Sequence, residues 1–300
     1  MNFNRHQQSG DPSNTQQNFI DVNLKLLCCR YWYLNLWDCH NMGFPFWRIY
    51  WNKNNGGELE LYGKIYPMQP NSIYVIAPFT PFSSGINGKK QFTSGIHVEG
   101  SNLTAAHAEP YFMEKSLLHF FIHFNLGTPF DNVLPGIFEI ELNDHLRERM
   151  LYLTKRLTIE NQEFKLTFNM KLQAFIKEVL SHLGPELWKT INIDSRVLQA
   201  HRYIEQHINK KLSNPELADL VNMAPNSFAR LFKLEMNITL HKFIQNRKIA
   251  KACELFENAN ETIDSISDKL GFSDRFHFSK TFKSVTGISP ATYRSVQYVA

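Results

Sequence analysis

Hydrophobic positions recur with two different periods along this chain of 300 residues, and the change of period divides it into zones. Between residues 19 and 143, short runs rich in Phe, Tyr, Trp, Ile and Val alternate with Gly and Pro. Aromatic and β-branched residues between turn residues favour strands, so this zone is predicted to form a β-sandwich or barrel. The polar residues 1–18 are predicted to be a disordered tail.

From residue 144 onward, apolar residues follow a three- and four-residue spacing that is typical of amphipathic helices. One helical stripe consists of Leu172, Phe175, Ile176, Val179, Leu180 and Leu183. Such a stripe can pair with its copy in a second chain, so residues 144–184 are predicted to be a helical dimerisation segment. Gly184 and Pro185 end the helix, residues 185–193 read as a linker, and short amphipathic helices fill residues 194–300.

The last zone contains the same pair of short helices twice. NMAPNSFARLFKLEMNIT, starting at Asn222, reappears about fifty residues later as GFSDRFHFSKTFKSVTGISP. In the first copy Ser213 is the predicted helix cap, and in the second copy Thr262 and Ser273 are. Two short helices joined by a tight turn predict a helix-turn-helix unit, here duplicated.

The outward faces of the second helices carry most of the polar chemistry. They comprise Asn226, Ala229, Arg230 and Lys233 in the first copy, and Arg275, Phe276, Ser279, Lys280 and Lys283 in the second. Such residues suit base edges and phosphates of DNA, although any one of them could simply keep a surface helix soluble. The repetition of basic residues at matching positions favours double-stranded DNA as the partner.

Between the two copies, residues 239–258 contain neither Gly nor Pro and are predicted to form one long helix. Twenty helical residues span about 30 Å, close to the ~34 Å between successive major-groove segments on one face of DNA. The helix could therefore act as a strut between two recognition helices. Its basic residues Arg247, Lys248 and Lys251 could pack as stems or contact phosphate, and packing is the interpretation we favour.

Charge and cysteine content narrow the class of protein. The net charge is +4, and residues 194–300 alone carry 15 Lys and Arg against 11 Asp and Glu, so the excess lies in the repeated zone. Cys28, Cys29, Cys39 and Cys253 have no zinc-ligand spacing and do not suggest a disulfide framework, which indicates a reducing cytoplasm. No apolar run approaches the ~20 residues that cross a bilayer, so a membrane partner is not expected.

The string GFSDRFHFSKTFKSVTGISPATYR closely resembles the signature of the AraC-type (arabinose-regulator) family of bacterial transcription regulators. The resemblance covers roughly residues 194–294. It implies an α+β protein with a cupin-like effector-binding barrel, helices that dimerise, and an all-α domain of two helix-turn-helix units joined by a long helix. It also implies a homodimeric, sequence-specific regulator that is more often an activator, with RNA polymerase as a further partner.

By position, the family's base contacts fall on the outward residues of both copies, with Ala229 limited to contact with a thymine methyl group. Asn222 and Asn237 stand where the family pattern has glycine. Asparagine tolerates left-handed backbone, so the fold is expected to survive both departures.

The effector site is predicted from two strings, FPFWRIYWN and LLHFFIHFNL. Strand alternation places Arg48 and Tyr50 on one side of the first string and Trp47 and Trp51 on the other. The candidate effector-binding residues are Arg48, Tyr50, Trp47, Trp51, His97, His119 and His123. Rings and hydrogen-bond donors suit a small polar ligand such as a sugar.

Other interpretations of these residues stay open at this point. The tryptophans could be core residues, and the histidines could have partners within the strands. Alternatively, a cupin-type metalloenzyme with a C-terminal helical appendage would use His97, Glu99, His107, His119 and His123 as ligands. The clustered H-x-H pattern of metal cupins is absent, and so are phosphate-binding glycine loops and nucleophile motifs. We therefore expect no catalytic residues, no metal and no cofactor, in a protein that is not an enzyme.

Overall fold

A computed structural model describes residues 22–89, 91–104, 114–159, 165–256 and 261–298, and shows an antiparallel sheet followed by helices. The α+β class expected from the sequence is confirmed. The strands are β1 (Lys25–Met42), β2 (Trp47–Asn52), β3 (Gly57–Leu61), β4 (Lys64–Pro67), β5 (Ser72–Ile76), β6 (Phe82–Ile86), β7 (Ile96–Asn102), β8 (Leu117–Asn125) and β9 (Ile137–Glu141).

The nine strands form one sheet in the order β4-β3-β6-β1-β8-β2-β5-β9, with β7 also paired to β1. Every pairing is antiparallel. Strand β1 is 18 residues long and pairs with β8, β7 and β6, with a register shift within each of the three pairings. Such irregularities bend a strand, and the sheet curves into a half-barrel with an inner and an outer face.

Two helices cover the outer face of the sheet, α1 (Asp144–Leu157) and α2 (Leu166–Ser181). The stripe from Leu172 to Leu183 is 0–7% exposed and packs with the outward residues of β2, β5 and β8 inside one chain. This corrects the expectation that the stripe is a dimer seam. Apolar spacing on a helix identifies a buried face, but it does not say whether the cover comes from the same chain or from another.

The segment predicted as a linker forms a 3₁₀ helix at Pro185–Asn192. Beyond it lie α3 (Ser195–Gln206), α4 (Asn214–Leu220), α5 (Pro225–Met236), α6 (Leu240–Leu255), α7 (Ile263–Lys269), α8 (Arg275–Thr286) and α9 (Pro290–Tyr298). Helices α4 and α5 form the first helix-turn-helix unit, and α7 and α8 form the second, with α6 between them. The small residues Ala218 and Ser267 are fully buried.

The caps of these helices agree with the sequence in all but one case. Ser213 and Thr262 accept hydrogen bonds from backbone amides three residues later, as predicted. At the start of α8 the cap is Asp274, which accepts from His277 N at 2.7 Å, and not Ser273. The predicted cap was placed one residue early, because Ser and Asp are both good caps and stand side by side.

The strut is shorter than the sequence predicted. Helix α6 has sixteen residues and ends at Leu255, so it spans about 24 Å by its helical rise. Residues 257 and 258, which the prediction included, lie outside the described residues. The length of this helix alone therefore does not supply the ~34 Å between major-groove segments.

The buried cores do not follow the order of the chain. The first unit has its own core, built from α3, α4, α5 and the start of α6. The apolar residues of the second unit, including Phe278 and Phe282, are continuous with the inner face of the half-barrel. The second unit therefore packs directly on the effector-binding candidate domain.

Candidate DNA-binding surface and effector cavity

The second helix of each unit exposes the side chains that the sequence singled out. On α5, Asn226, Arg230 and Lys233 are exposed and Ala229 is partly buried. On α8, Arg275, Phe276, Lys280 and Lys283 are exposed and Ser279 is partly buried. Phe276 is 84% exposed, so its ring is open to a partner.

Most of the cations on these two helices have no acidic partner among the described residues. Arg230, Lys233, Lys280 and Lys283 form no ion pair there. Arg275 does, since its Nη1 lies 3.1 Å from Asp264 Oδ2, but both side chains are more than half exposed. Exposed pairs of this kind contribute little, so Arg275 can exchange its carboxylate for another anion.

The structure also brings together a cavity of about 570 Å³ between the inner face of the half-barrel and the second unit. This volume lies within the range of small-molecule sites. Most of the wall is aromatic or aliphatic, and its charged members are Arg30 and Arg48. None of the described residues that line it is acidic.

Arg48 is the most unusual residue of the cavity. It is 1% exposed, and neither terminal guanidinium nitrogen has a hydrogen-bond partner among the described residues. Its Cζ atom lies 4.6–5.1 Å from the ring centroids of Phe44, Phe46 and Phe82. Burial lowers the pKa of Arg48 below its ordinary value, although a guanidinium stays charged in proteins. The cavity therefore holds a positive charge that its own wall does not neutralise.

Strand register aligns this charge with two histidines. Arg48 on β2 faces His123 on β8, and Asn52 faces His119. His119 donates from Nδ1 to Asn52 Oδ1 at 2.7 Å, whereas His123 Nε2 is buried without a partner among the described residues. Burial lowers the pKa of His119 to about 3, and burial together with Arg48 lowers the pKa of His123 well below its ordinary value. Both rings are therefore neutral near pH 7.

Of the predicted effector residues, Arg48, Tyr50, His119 and His123 line the cavity. Trp47 and Trp51 do not, because strand alternation turns them to the outer face. There Trp47 Nε1 donates to Asp131 Oδ1 and Trp51 Nε1 donates to the carbonyl of Pro70. Both tryptophans are core residues, which corrects their assignment to the ligand.

The remaining candidates are dispersed. His97 lies on β7, stacks on Phe92 at 3.6 Å and is absent from the cavity wall. This corrects its assignment to the effector. His107 lies outside the described residues, and within them no cluster of His, Cys, Asp or Glu could hold a metal.

Several wall residues were missed by sequence reasoning. Cys28, Arg30 and Trp32 share one face of β1, so alternation in that strand could have found them. Ile288 follows α8 and Tyr293 lies on α9, and no sequence signal places either of them at the cavity. Burial raises the pKa of the Tyr50 phenol, which therefore stays protonated inside the cavity.

The half-barrel also contacts both recognition helices at their C-terminal ends. Gly43 N donates to Thr286 O at 3.1 Å, at the end of α8. Asn132 Nδ2 donates to Met236 O at 3.2 Å, at the end of α5. Met236 and Thr286 are fifty residues apart, so the same position of each unit is in contact with the half-barrel.

Among the helices in the described part of the chain, none is long and apolar enough to cross a membrane.

The chain is similar in sequence to known transcription regulators over part of its length. Residues 217–295 match the family model described as "Helix-turn-helix domain". The chain is 30% identical over 123 residues to the probable transcriptional regulator LumQ of Photobacterium leiognathi, covering 41% of this chain and 48% of that protein. It is 28% identical over 104 residues to the arabinose operon regulatory protein of Escherichia coli (strain K12), covering 34% and 36%. The chain thus matches about half, or less, of the length of these curated relatives.

Similarity over nearly the whole chain appears at the level of structure. The unsaturated fatty acid-bound wild-type ToxT of Vibrio cholerae strain SCE256 superposes with a TM-score of 0.55. The match covers 93% of this chain and 97% of ToxT at 11% identity. At that identity the similarity establishes the fold only, a half-barrel followed by helix-turn-helix units.

Proposed function

Because this chain is a member of the AraC-type transcription regulators, we propose that it binds operator DNA in a sequence-specific way under the control of a small-molecule effector. The observation that carries the proposal is the pair of matching cationic helix faces on α5 and α8, on which Arg230, Lys233, Lys280 and Lys283 are exposed and have no acidic partner among the described residues. The predicted contacts are the nine outward residues of these two helices. Helices inserted into neighbouring major-groove segments would give the protein its specificity.

A binding experiment with point variants tests this proposal. Operator fragments selected from genomic DNA with the full-length protein would be titrated by fluorescence anisotropy at several salt concentrations. Lys280→Ala is expected to weaken binding and lower the salt slope by about one unit if Lys280 meets phosphate, or to relax base preference if it meets a base edge. Lys177→Ala, an exposed lysine on α2, is the matched control. Selection of no sequence by the wild-type protein would refute the regulator function.

For the effector, we propose an apolar molecule that carries one carboxylate. An anion would give the Arg48 guanidinium the partner it lacks, and His123 Nε2 could donate a second hydrogen bond in the tautomer that carries its proton there. The aromatic and aliphatic wall would cover the apolar body. The fatty acid bound by ToxT is an acid of this type, which supports the choice.

A sugar, the effector favoured by sequence, is the alternative. Sugars need several polar groups around a compact ring, whereas this wall is mostly apolar. Thermal shift with dodecanoate, dodecanol, dodecylamine and L-arabinose separates the two classes, because a ligand that binds only the native state raises the melting temperature. We expect stabilisation by dodecanoate, a weaker effect of dodecanol and none from the amine. Stabilisation by arabinose alone would favour the sugar.

Control of DNA binding would follow from the position of the cavity. Ile288, just after α8, and Tyr293 of α9 form part of its wall, so a ligand there would touch both the half-barrel and the DNA-binding domain. A ligand shifts an equilibrium by its different affinities for two arrangements, and here the two are a docked and a released second unit. We also propose activation through RNA polymerase, which transcription from a selected operator with and without dodecanoate would test.

We further propose that the protein forms a homodimer through the outer side of α1 and α2. Leu166 and Met170 lie one turn apart on α2 and are 74% and 63% exposed, and Leu151 and Tyr152 of α1 are also exposed. Lys171 Nζ lies 4.0 Å from the Tyr152 ring centroid, so the two helices meet here. Leu166→Asp with Met170→Asp is expected to halve the sedimentation mass, whereas Lys177→Asp is not. An unchanged dimer mass would place the interface elsewhere.

The proposal keeps the division of the chain made from its sequence. Residues 19–143 bind the effector, 144–184 dimerise, 185–193 connect, and 194–300 bind DNA. Separate expression of residues 194–300 and measurement of DNA binding would test the last boundary.

A further inference from the structure

Two neighbouring cations on helix α6, Arg247 and Lys248, are bonded to elements on opposite sides of the helix in the chain, α3 before it and the turn after α7. Arg247 donates from Nε and Nη2 to Glu205 of α3, at 2.5 and 2.8 Å. Lys248 Nζ donates to Leu270 O at 2.6 Å and contacts Gly271 O at 3.4 Å. The strut is thus bonded to α3, which packs in the core of the first unit, by one side chain and to the second unit by the next.

The lysine is buried and has specific partners. Lys248 is 7% exposed, and its Nζ also lies 5.3 Å from the ring centroid of Phe272. Leu270 caps helix α7 and Gly271 follows it, at the end where the last carbonyl groups lack partners within the helix and the helix dipole is negative. A cation at this point is stabilised by both effects. The bonded carbonyls immediately precede the loop that leads into recognition helix α8.

The first unit has a corresponding contact. Gln199 lies forty-nine residues before Lys248, the same spacing that separates the caps Ser213 and Thr262. Gln199 Nε2 donates to Leu220 O at 3.3 Å, at the end of α4. In both units, a long side chain from the preceding helix therefore holds the end of the first helix. The second unit uses a buried charge where the first uses an exposed amide.

We propose that Lys248 is a positioning residue that fixes recognition helix α8 relative to the strut. Its burial and its two carbonyl contacts leave it unavailable to DNA phosphate, unlike Lys280 and Lys283 on the helix itself. The orientation of α8 depends on these hydrogen bonds of Lys248. The fit of the two recognition helices to their operator depends on that orientation. The role of Lys248 in operator binding rests on the proposed DNA-binding function, whereas its effect on the position of α8 can be measured without DNA.

The first test measures the contact between Lys248 and the end of α7 in the absence of DNA. Lys248→Met keeps the apolar stem and removes the donors, so hydrogen exchange in residues 270–278 is expected to become at least tenfold faster. Lys248→Gln restores a donor, as Gln199 provides in the first unit, and is expected to recover slow exchange in part. Lys251→Met is the control, because Lys251 is exposed on the same helix and pairs with Glu254, one turn away. Unchanged exchange in Lys248→Met would overturn the proposal.

The second test uses the salt dependence of binding to a selected operator. Lys248→Met is expected to weaken binding about tenfold and leave the slope of log affinity against log salt unchanged. A phosphate-contacting lysine would instead lower that slope by about one unit, and this result would also overturn the proposal. Should Lys248→Met fail to fold, Lys248→Gln carries both measurements. Should the wild-type protein bind no DNA, the DNA-binding function fails while the exchange test still decides the role of Lys248.

Discussion

Replacement of Arg48 by methionine is expected to have opposite effects on stability and on effector binding. The guanidinium is 1% exposed and has no hydrogen-bond partner among the described residues. If Arg48 stabilised the fold, its replacement would lower the free energy of unfolding. A group retained for a ligand can be unfavourable in the empty protein, because binding sites often contain polar groups that the fold itself does not need.

The size of the effect follows from the contacts of Arg48. Desolvation of a buried ion costs several kcal/mol in real proteins. Three aromatic rings within 5.1 Å offset part of this, at about 0.5–2 kcal/mol each. Because one guanidinium is shared by three rings, we take the lower end of this range, about 1.5 kcal/mol in all, which leaves a net cost of about 1–3 kcal/mol that Arg48→Met removes. At roughly 2–4 °C per kcal/mol, the melting temperature of the ligand-free protein is expected to rise by several degrees.

Effector binding is expected to change in the other direction. A buried charge pair that loses one partner costs about 2–5 kcal/mol, so dodecanoate should bind Arg48→Met at least about 30-fold more weakly by calorimetry. Dodecanol has no carboxylate and should bind both proteins about equally, so it serves as the matched ligand. Destabilisation of the ligand-free variant by more than 2 kcal/mol would refute this reasoning and make Arg48 a structural residue. Equal losses of affinity for dodecanoate and dodecanol would show that Arg48 does not recognise the carboxylate.

Three further predictions concern pH, docking and capping. His119 and His123 are buried and neutral in the native state, with pKa values below that of an unfolded histidine, so the unfolded chain binds more protons on acidification. The free energy of unfolding should therefore fall by about 2 kcal/mol for each histidine between pH 7.5 and 5. In His119→Gln the melting temperature should depend less on pH than in the wild-type protein. Gly287 has φ +88°, and an added Cβ would lie 2.2 Å from Asn41 O, so Gly287→Ala should release the second unit from the half-barrel and increase protease cleavage between the domains. Asp274→Ala should cost about 1 kcal/mol in urea unfolding, and more than Ser273→Ala, because Asp274 accepts the amide of His277.

The repeated helices could be predicted from sequence because their signals are local. A cap, a tight turn and an apolar stripe each depend on residues within four positions of one another, and a duplication shows each signal twice. Asn222 and Asn237 illustrate this, since both adopt left-handed backbone where the family pattern has glycine. The single error in capping, at Ser273, is a shift of one residue between two good caps.

The effector cavity could be predicted only in part, because its wall combines residues that are distant in the chain. Alternation within β2 correctly placed Arg48 and Tyr50 on one side of the strand and Trp47 on the other. Alternation does not say which face has a cavity. The contribution of Tyr293 depends on docking of the second unit onto the half-barrel, a contact that joins residues about 250 positions apart.

Under the proposed function, that docking would link effector binding and DNA binding thermodynamically. A ligand in the cavity would contact Arg48 on the half-barrel and Tyr293 on α9, so it would favour the docked arrangement over a released one. If the docked arrangement is the one that fits the operator, dodecanoate strengthens DNA binding; if the released arrangement fits, dodecanoate weakens it. Linkage requires that operator DNA change the affinity for dodecanoate by the same factor and in the same direction. Equal dodecanoate affinity with and without operator would therefore contradict any coupling through this cavity, whichever sign the regulation has.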